Sequence, residues 1–267
     1  MSRSSASARS SDQAFIGVSA LLFAATAAAT VVWCGSMSQM DGMPMPGGWT
    51  MSMAWMRMPG QTWSGAAASF VGMWLVMMAA MMLPSLVPML RRYREAVVLS
   101  DPVRLGRLTA VAGLGYFLVW SVYGLAVFPV GVALAGLEMR QPAVSRAVPL
   151  AAGIVVLAAG IFQFTIWKAR HLSCCRRAPG RGRSFSADAR TAWRHGAWLA
   201  LQCGQCCGNL IAVLLVLGVM DIGAMAIVTA AITLERAAPS GERAARAIGV
   251  AVVAAGLFLV ARAVFST

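Results

Sequence analysis

Three cysteines within five residues are the groups in this chain best suited to chemistry: Cys203, Cys206 and Cys207, in the run Cys203-Gly204-Gln205-Cys206-Cys207-Gly208-Asn209. Spacings of three and four put Cys203 on nearly one helical face with both of the others. Thiolates gathered in this way suit a soft metal ion. The plainer reading is that they are small hydrophobes packed in a core, since the segment around them is apolar. A second group lies upstream, where His171, Cys174 and Cys175 are also three and four apart, so that one more helical turn aligns an imidazole with thiols. Disulfides are the alternative use of these cysteines. Adjacent Cys206 and Cys207 do not suit ordinary bridge geometry, and an inward-facing His171-Cys174-Cys175 segment favours reduced thiols.

Methionine is the other unusual ligand type. Met37, Met40, Met43, Met45, Met51, Met53, Met56 and Met58 crowd one stretch that is broken by Gly42, Pro44, Pro46, Gly47 and Gly48. The prolines and glycines argue against a regular helix there, and the alternation at Met51 and Met53 fits a short extended piece. Thioethers bind Cu(I), with Met43 and Met45 as candidate collectors and Asp41 as a single oxygen ligand. The competing reading packs Met43, Met45, Trp49, Trp55 and Trp63 into the membrane interface, where tryptophan is favoured; the two readings are compatible. Farther on, Met73, Met77 and Met81 recur every four residues beside a second stripe at Met78 and Met82. Such a stripe serves as core packing or as a ladder of thioethers for stepwise Cu(I) passage. Pro84 and Pro88 kink or end that helix, and Ser85 is placed to satisfy a carbonyl near the bend.

The elements that must position these groups are transmembrane helices. The chain has 267 residues, is 59% hydrophobic and only 12% charged, and has a mean hydropathy of +0.73. A soluble domain needs about a quarter of its residues charged. The expected fold is all-α, a polytopic helical bundle, with spans at Phe15 to Trp33, Ala67 to Leu90, Leu108 to Val130, Val148 to Trp167, Ala197 to Gly218, Ile222 to Leu234 and Ala247 to Phe265. Seven spans is the preferred count. Six is the fallback, because the apolar core of the sixth segment is short and fits a tilted or re-entrant piece. Residues 1–66 form an N-terminal helix with its Met-rich loop, and residues 67–267 the helical domain carrying the cysteine seam. The first apolar segment reads as a retained helix, although the small residues from Ala24 to Thr30 resemble a signal-peptidase site.

The net charge of +13 is read as topology. With the N-terminus in the cytoplasm, Arg3, Arg9, the five arginines from Arg91 to Arg107, Lys168 with seven arginines up to Arg194, and Arg236, Arg243 and Arg246 put 18 of 22 basic residues inside. The Met-rich loop then faces the periplasm or another extracytoplasmic space. Nucleic acid is not the expected partner, because the run Arg176, Arg177, Arg181 and Arg183 reads as an ordinary inward loop or a contact for anionic lipid. Gln202, Gln205 and Asn209 on the fifth span, Gln163 on the fourth and Glu235 on the sixth mark faces that meet protein rather than lipid, and Gly204 with Gly208 permits close helix contact. A helix starting near His195 puts Cys203 about 12 Å along its axis. At that depth an inward pair at His171 and Cys174 with a separate, deeper thiol site is as admissible as one four-ligand centre.

Trp74 with the methionines through Met82-Leu83-Pro84, the Phe162-Gln163-Phe164-Thr165 and Lys168 to Cys175 stretch, and Gln202 to Asn209 followed by Met220, Met225 and Glu235 together resemble a bacterial family of predicted metal-binding integral membrane proteins, domain of unknown function 2182. The resemblance covers about residues 67 to 240. It implies metal binding, with Cys203, Cys206 and Cys207 matching the fifth-span cysteines and Cys174 or Cys175 the cysteine after the fourth. Two departures are Gly208-Asn209, where tryptophan is commoner, and the adjacent Cys174-Cys175 pair.

The expected activity is copper capture or translocation across a bacterial inner membrane. The alternative is a non-catalytic subunit or assembly factor supporting a membrane metalloenzyme or other integral complex. Copper is the expected ion and zinc the second, since methionine enrichment favours the softer metal. Membrane lipids and a metal chaperone or membrane metalloenzyme are the expected partners. No nucleotide-binding loop, paired catalytic carboxylates or paired haem histidines stand out, so an enzyme is not the first reading.

Overall fold

The computed structural model describes residues 2–38, 42–97, 101–176 and 186–265, the side chains of 2–9 and 38 excepted. Met40 and Asp41 of the Met-rich stretch, and Arg177, Arg181 and Arg183 of the arginine run, lie outside the described residues. The chain runs α1 (Ser2–Ser38), β1 (Met43–Met45), β2 (Trp49–Met51), a 3-10 turn (Met53–Trp55), α2 (Trp63–Ala96), α3 (Pro102–Arg140), α4 (Pro142–Phe162), α5 (Ile166–Arg176), α6 (Ala189–Leu217), α7 (Ile222–Ala237) and α8 (Gly241–Phe265). The protein is an all-helical bundle, and six of its described helices, α1, α2, α3, α4, α6 and α8, are long and apolar enough to cross a membrane. α7 has 16 residues, about 24 Å at the standard rise, which is less than a bilayer core. Met220, two residues before α7, lies beside Cys34, and Glu235 near its C-terminal end lies beside Arg176. The six helices that meet this length and composition match the fallback count rather than the preferred seven.

Helix limits follow local chemistry. Thr62, Asp101, Asp188 and Asp221 each accept a backbone N–H at a helix start, and Pro102 and Pro142 occupy first turns, where no N–H is needed. Pro84 and Pro88 lie inside α2, which continues through both to Ala96 instead of ending there. The fourth expected span divides. α4 stops at Phe162, residues Gln163 to Thr165 turn, and α5 departs as a separate helix. α6 starts at Ala189, six residues before His195. Cys203 is therefore 14 residues into it, about 21 Å along the axis rather than 12.

The core is centred on α2, whose Phe70, Trp74, Met78, Met82, Leu86 and Tyr93 are buried, with α3 and α6 packed around it. Leu21, Val32, Ile227 and Phe258 point outward, as a lipid-facing surface requires. Glycines set the α3 to α6 approach. A Cβ on Gly196 would sit 1.8 Å from the Ala112 carbonyl oxygen, and one on Gly115 2.5 Å from that of Trp193. Gly204 presses on the Tyr123 ring, whereas Gly208 faces open space, so only the first of the expected glycine pair is a contact glycine.

The Met-rich stretch forms a two-stranded antiparallel ribbon, with Met43 opposite Met51 and Met45 opposite Trp49. Gly47 and Gly48 turn it with φ of 106° and 72°. Trp49 donates its indole N–H to the Ser145 carbonyl at 2.9 Å, and Ser145 returns its hydroxyl to the Pro46 carbonyl at 2.9 Å, which fastens the ribbon to α4.

Candidate metal centre

α6 delivers Cys203, Cys206 and Cys207 into the bundle interior, all with zero exposure. The Cys206 and Cys207 sulfurs are 3.3 Å apart, and those of Cys203 and Cys207 3.8 Å. α2 adds Met82, whose Sδ is 3.7 Å from Cys203 Sγ. The turn at Gln163 to Thr165 folds α5 back against α6, so that Cys175 Sγ lies 3.3 Å from Cys206 Sγ and donates to the Gln202 carbonyl at 3.3 Å. All six cysteines are free thiols.

The upstream group is thus split by its helix. Cys175 joins the thiols; His171 lies against the Trp167 ring with centroids 4.0 Å apart, and half-buried Cys174 makes no sulfur contact with the cluster among the described residues. Of the two arrangements admissible from depth, Cys175 lies with the α6 thiols, while His171 and Cys174 make no contact with them among the described residues. Met81 is buried in the core near Met82, and Met73 and Met77 line a small cavity elsewhere with Cys34 and Met220. Met45 is buried against Met51 and Ala135, beside Trp49 and Trp55, while Met43 is 36% exposed. In the ribbon Met45 therefore packs. Trp63, expected in the same packed set, is exposed.

A cation sits against the thiols. Arg236, at the end of α7, is buried and donates to Cys203 Sγ at 2.9 Å, Ser85 Oγ at 2.9 Å and Met89 Sδ at 2.7 Å. Among the described residues no carboxylate lies within ion-pair reach of it. Its nearest ionisable partner is the Cys203 sulfur, whose thiolate form the guanidinium would stabilise. Tyr116 of α3 donates its hydroxyl to the same sulfur at 3.2 Å. Ser85 also donates to the Met82 carbonyl at 3.0 Å, holding the backbone of the ligand-bearing turn next to Pro84.

A second buried cation braces the cluster from below. Lys168, the second residue after the start of α5, pairs with Glu235 at 2.8 Å and donates to the Cys206 backbone carbonyl; both side chains of the pair are essentially unexposed. Gln163 donates to the other Glu235 oxygen at 2.7 Å, and Asn209 donates to the Ala159 carbonyl at 3.1 Å. The polar seam expected from Gln163, Asn209 and Glu235 is present, whereas Gln205 is exposed on the far side of α6. Lys168 and Arg236, both counted among the inward basic residues, are buried in the bundle. Sequence spacing gave no signal for Arg236 or Tyr116, because their proximity to Cys203 depends on how α3 and α7 cross α6.

Among the described residues no three His, Cys, Asp or Glu side chains are arranged to hold a metal ion. Sulfurs 3.3 Å apart touch each other. With metal–sulfur bonds of about 2.3 Å, two ligands stand about 3.8 Å apart on a tetrahedral ion, about 4.0 Å on a trigonal ion and about 4.6 Å on a linear ion. Cys203 to Cys207 at 3.8 Å and Cys203 to Met82 at 3.7 Å are nearest the tetrahedral separation and within about 0.3 Å of the trigonal one, so the best-fitting donors are two thiols and a thioether. That is a soft set suited to Cu(I).

A family model described as PpoB2, copper chaperone, matches residues 71–259. The match extends from the Met stripe of α2 through the cysteine cluster into α8, and agrees with the metal-binding character implied by the sequence resemblance. No curated protein and no solved structure matches the chain.

Proposed function

The chain belongs to the PpoB2 copper chaperone family, and from that premise we propose that it captures Cu(I) and passes it through a bacterial inner membrane along sulfur ligands. Residues 1–66 act as the collector, with the Met-rich ribbon on the extracytoplasmic side and the N-terminus in the cytoplasm. Residues 67–267 carry the sink. Cys203, Cys207 and Met82 take the ion, with Cys206 and Cys175 as the next sulfurs. The observation that carries this reading is the packing of four thiols and a thioether together, with a buried guanidinium on Cys203 that has no carboxylate partner among the described residues.

Charge supports a monovalent ion. Two thiolates, Cu(I) and the Arg236 guanidinium sum to zero, and a neutral set is the least costly to bury in a low-dielectric interior. A divalent ion on the same two thiolates would leave one uncompensated positive charge. His171 and Cys174 are second-rank ligands in this scheme, since neither reaches the cluster.

Purified full-length protein loaded anaerobically with Cu(I) is expected to retain up to one ion in the thiol cluster, and Cys203→Ser, Cys206→Ser and Cys207→Ser together to abolish that retention. Unchanged copper content in the triple variant rejects the sink. The family's description as a chaperone favours a second reading, in which the ion is handed to a membrane metalloenzyme instead of crossing. A partner at fixed ratio that acquires copper, with no uptake into vesicles by the protein alone, would decide for delivery.

A further inference from the structure

We propose a second soft-metal site at the ribbon end of the bundle, in which Cys34 and Met220 ligate one monovalent ion while Met73 and Met77 close the pocket around it. It rests on copper as the cargo but uses none of the inner thiols. Cys34 lies near the end of α1, in no sulfur contact with the inner cluster among the described residues. Its Sγ is 3.9 Å from Met220 Sδ. That is close to the roughly 4.0 Å expected for two sulfurs sharing a trigonal ion.

The fold holds both ligands in place. Gly218, with φ of 132°, ends α6 and starts the short connection that carries Met220. Asp221 fixes its other end by accepting the Ala224 N–H at 2.8 Å as the cap of α7. α1 packs along α2, bringing Cys34 opposite Met73 and Met77, and all three are buried.

Between these helices is a cavity of about 10 Å³, lined by Cys34, Met73, Met77 and Met220 together with Thr30, Trp33, Val76 and Val219. This is room for about one water, but a buried water needs two to four polar partners. Thr30 has turned its hydroxyl to the Thr26 carbonyl at 2.8 Å. Four sulfurs dominate what remains, which is a poor surround for water and a good one for a soft cation. One thiolate, neutral thioethers and a monovalent ion also sum to zero charge.

The position gives the site a role. Met77 lines it, and Met82, five residues on along α2 and about 7.5 Å farther down the axis, touches Cys203 of the inner cluster. Met78 and Met81 lie between them, both buried. The α2 methionine face therefore joins two sulfur sites, and Cys34 with Met220 forms the station nearer the ribbon.

Silver(I), a redox-inert congener of Cu(I), tests the site in full-length detergent-solubilised protein titrated against a competing thiol. The wild-type chain is expected to bind two silver ions and Cys34→Ser one. Met220→Leu should weaken one of the two by at least roughly tenfold, about one decade of Kd. The Cys203→Ser, Cys206→Ser, Cys207→Ser chain should keep one silver ion, which Cys34→Ser then removes. Should the triple variant fail to fold, alkylation of Cys34 in the wild-type chain reads the same site: silver should block it, and Met220→Leu should abolish the block. Unchanged stoichiometry in Cys34→Ser, or alkylation indifferent to silver, overturns this site while leaving the inner one standing. Loss confined to the inner variants counts against this site in the same way.

Discussion

Replacing Arg236 by methionine tests whether the buried cation favours Cu(I) at the proposed thiol site. Methionine keeps most of the stem volume and removes the charge. The guanidinium is 2.9 Å from Cys203 Sγ and buried, so solvent screens the pair only weakly. For unit charges about 4 Å apart at an effective dielectric constant near 20, the attraction is about 4 kcal/mol. Lost from the metal-bound state, that corresponds to roughly a thousandfold weaker Cu(I) binding. Anaerobic competition against a chromophoric Cu(I) chelator measures it, with Arg236→Lys as a control that retains charge but not the three-way fork to Ser85, Cys203 and Met89. A double-mutant cycle with Cys203→Ser isolates the mechanism: in the serine background the arginine substitution should have lost most of its effect. If Arg236→Met weakens binding less than tenfold, or weakens it equally with Cys203 present and absent, the charge-compensation argument is wrong and Arg236 is a packing residue.

Glu235→Gln should lower the unfolding temperature in detergent, because it leaves Lys168 buried without its counter-ion; breaking such a pair costs about 3–5 kcal/mol. Lys168→Met with Glu235→Met should recover most of that loss, and equal stability of the single variant and wild type would refute the pairing argument. Gly196→Ala forces a methyl against the Ala112 carbonyl and should separate α3 from α6, costing about 1–3 kcal/mol by thermal melting and withdrawing Tyr116 from Cys203. Asp188, the cap of α6, has its carboxyl lowered to about 2, first by the Thr191 backbone N–H and then by the Ser186 and Thr191 hydroxyls. A depressed acid contributes stability above its unfolded value of 3.8 and loses it as pH falls through about 2. Hydrogen exchange at the Thr191 amide should therefore stay protected from neutral pH to about 4 and lose protection toward pH 2, with Asp188→Ala unprotected throughout and Asp188→Asn free of that pH dependence.

The spans were legible because an apolar helix in lipid advertises itself by length and composition alone, and the α7 limits Ile222–Ala237 fall within a few residues of the segment read from sequence. The convergence of Cys203, Cys206 and Cys207 was legible because spacings of three and four are local to one helix. Cys175, not His171 or Cys174, completing the cluster was not legible, because that choice depends on a three-residue turn at Gln163 to Thr165 that rotates α5 relative to α4. The same limit applies to charge. A positive-inside count says only on which side an arginine or lysine lies, whereas Lys168, two residues from the start of α5, and Arg236, one residue from the end of α7, reach back into the protein.

The two buried cations have different electrostatic duties, and the difference separates scaffold from site. Lys168 and Glu235 cancel one another, with Gln163 and the Cys206 carbonyl using their remaining hydrogen-bonding capacity, so this pair is complete in the protein as it stands. Arg236 is not completed in that way. Its Nε has no hydrogen-bond partner, and its NH groups go to a hydroxyl, a thiol and a thioether, so it gains a full negative charge only from thiolates. A buried cation whose compensation comes from metal ligands ties its own burial to the state of those ligands. The neutral sum of two thiolates, one guanidinium and one monovalent ion then makes the loaded centre electrically cheap to hold inside a bilayer, and it makes a third deprotonated cysteine necessary before a divalent ion is held on the same terms. Proton release should therefore differ by metal: loading Zn(II) should expel one more proton per ion than loading Cu(I), measured in weakly buffered detergent solution. Equal release for both ions would remove charge balance as the basis of selectivity.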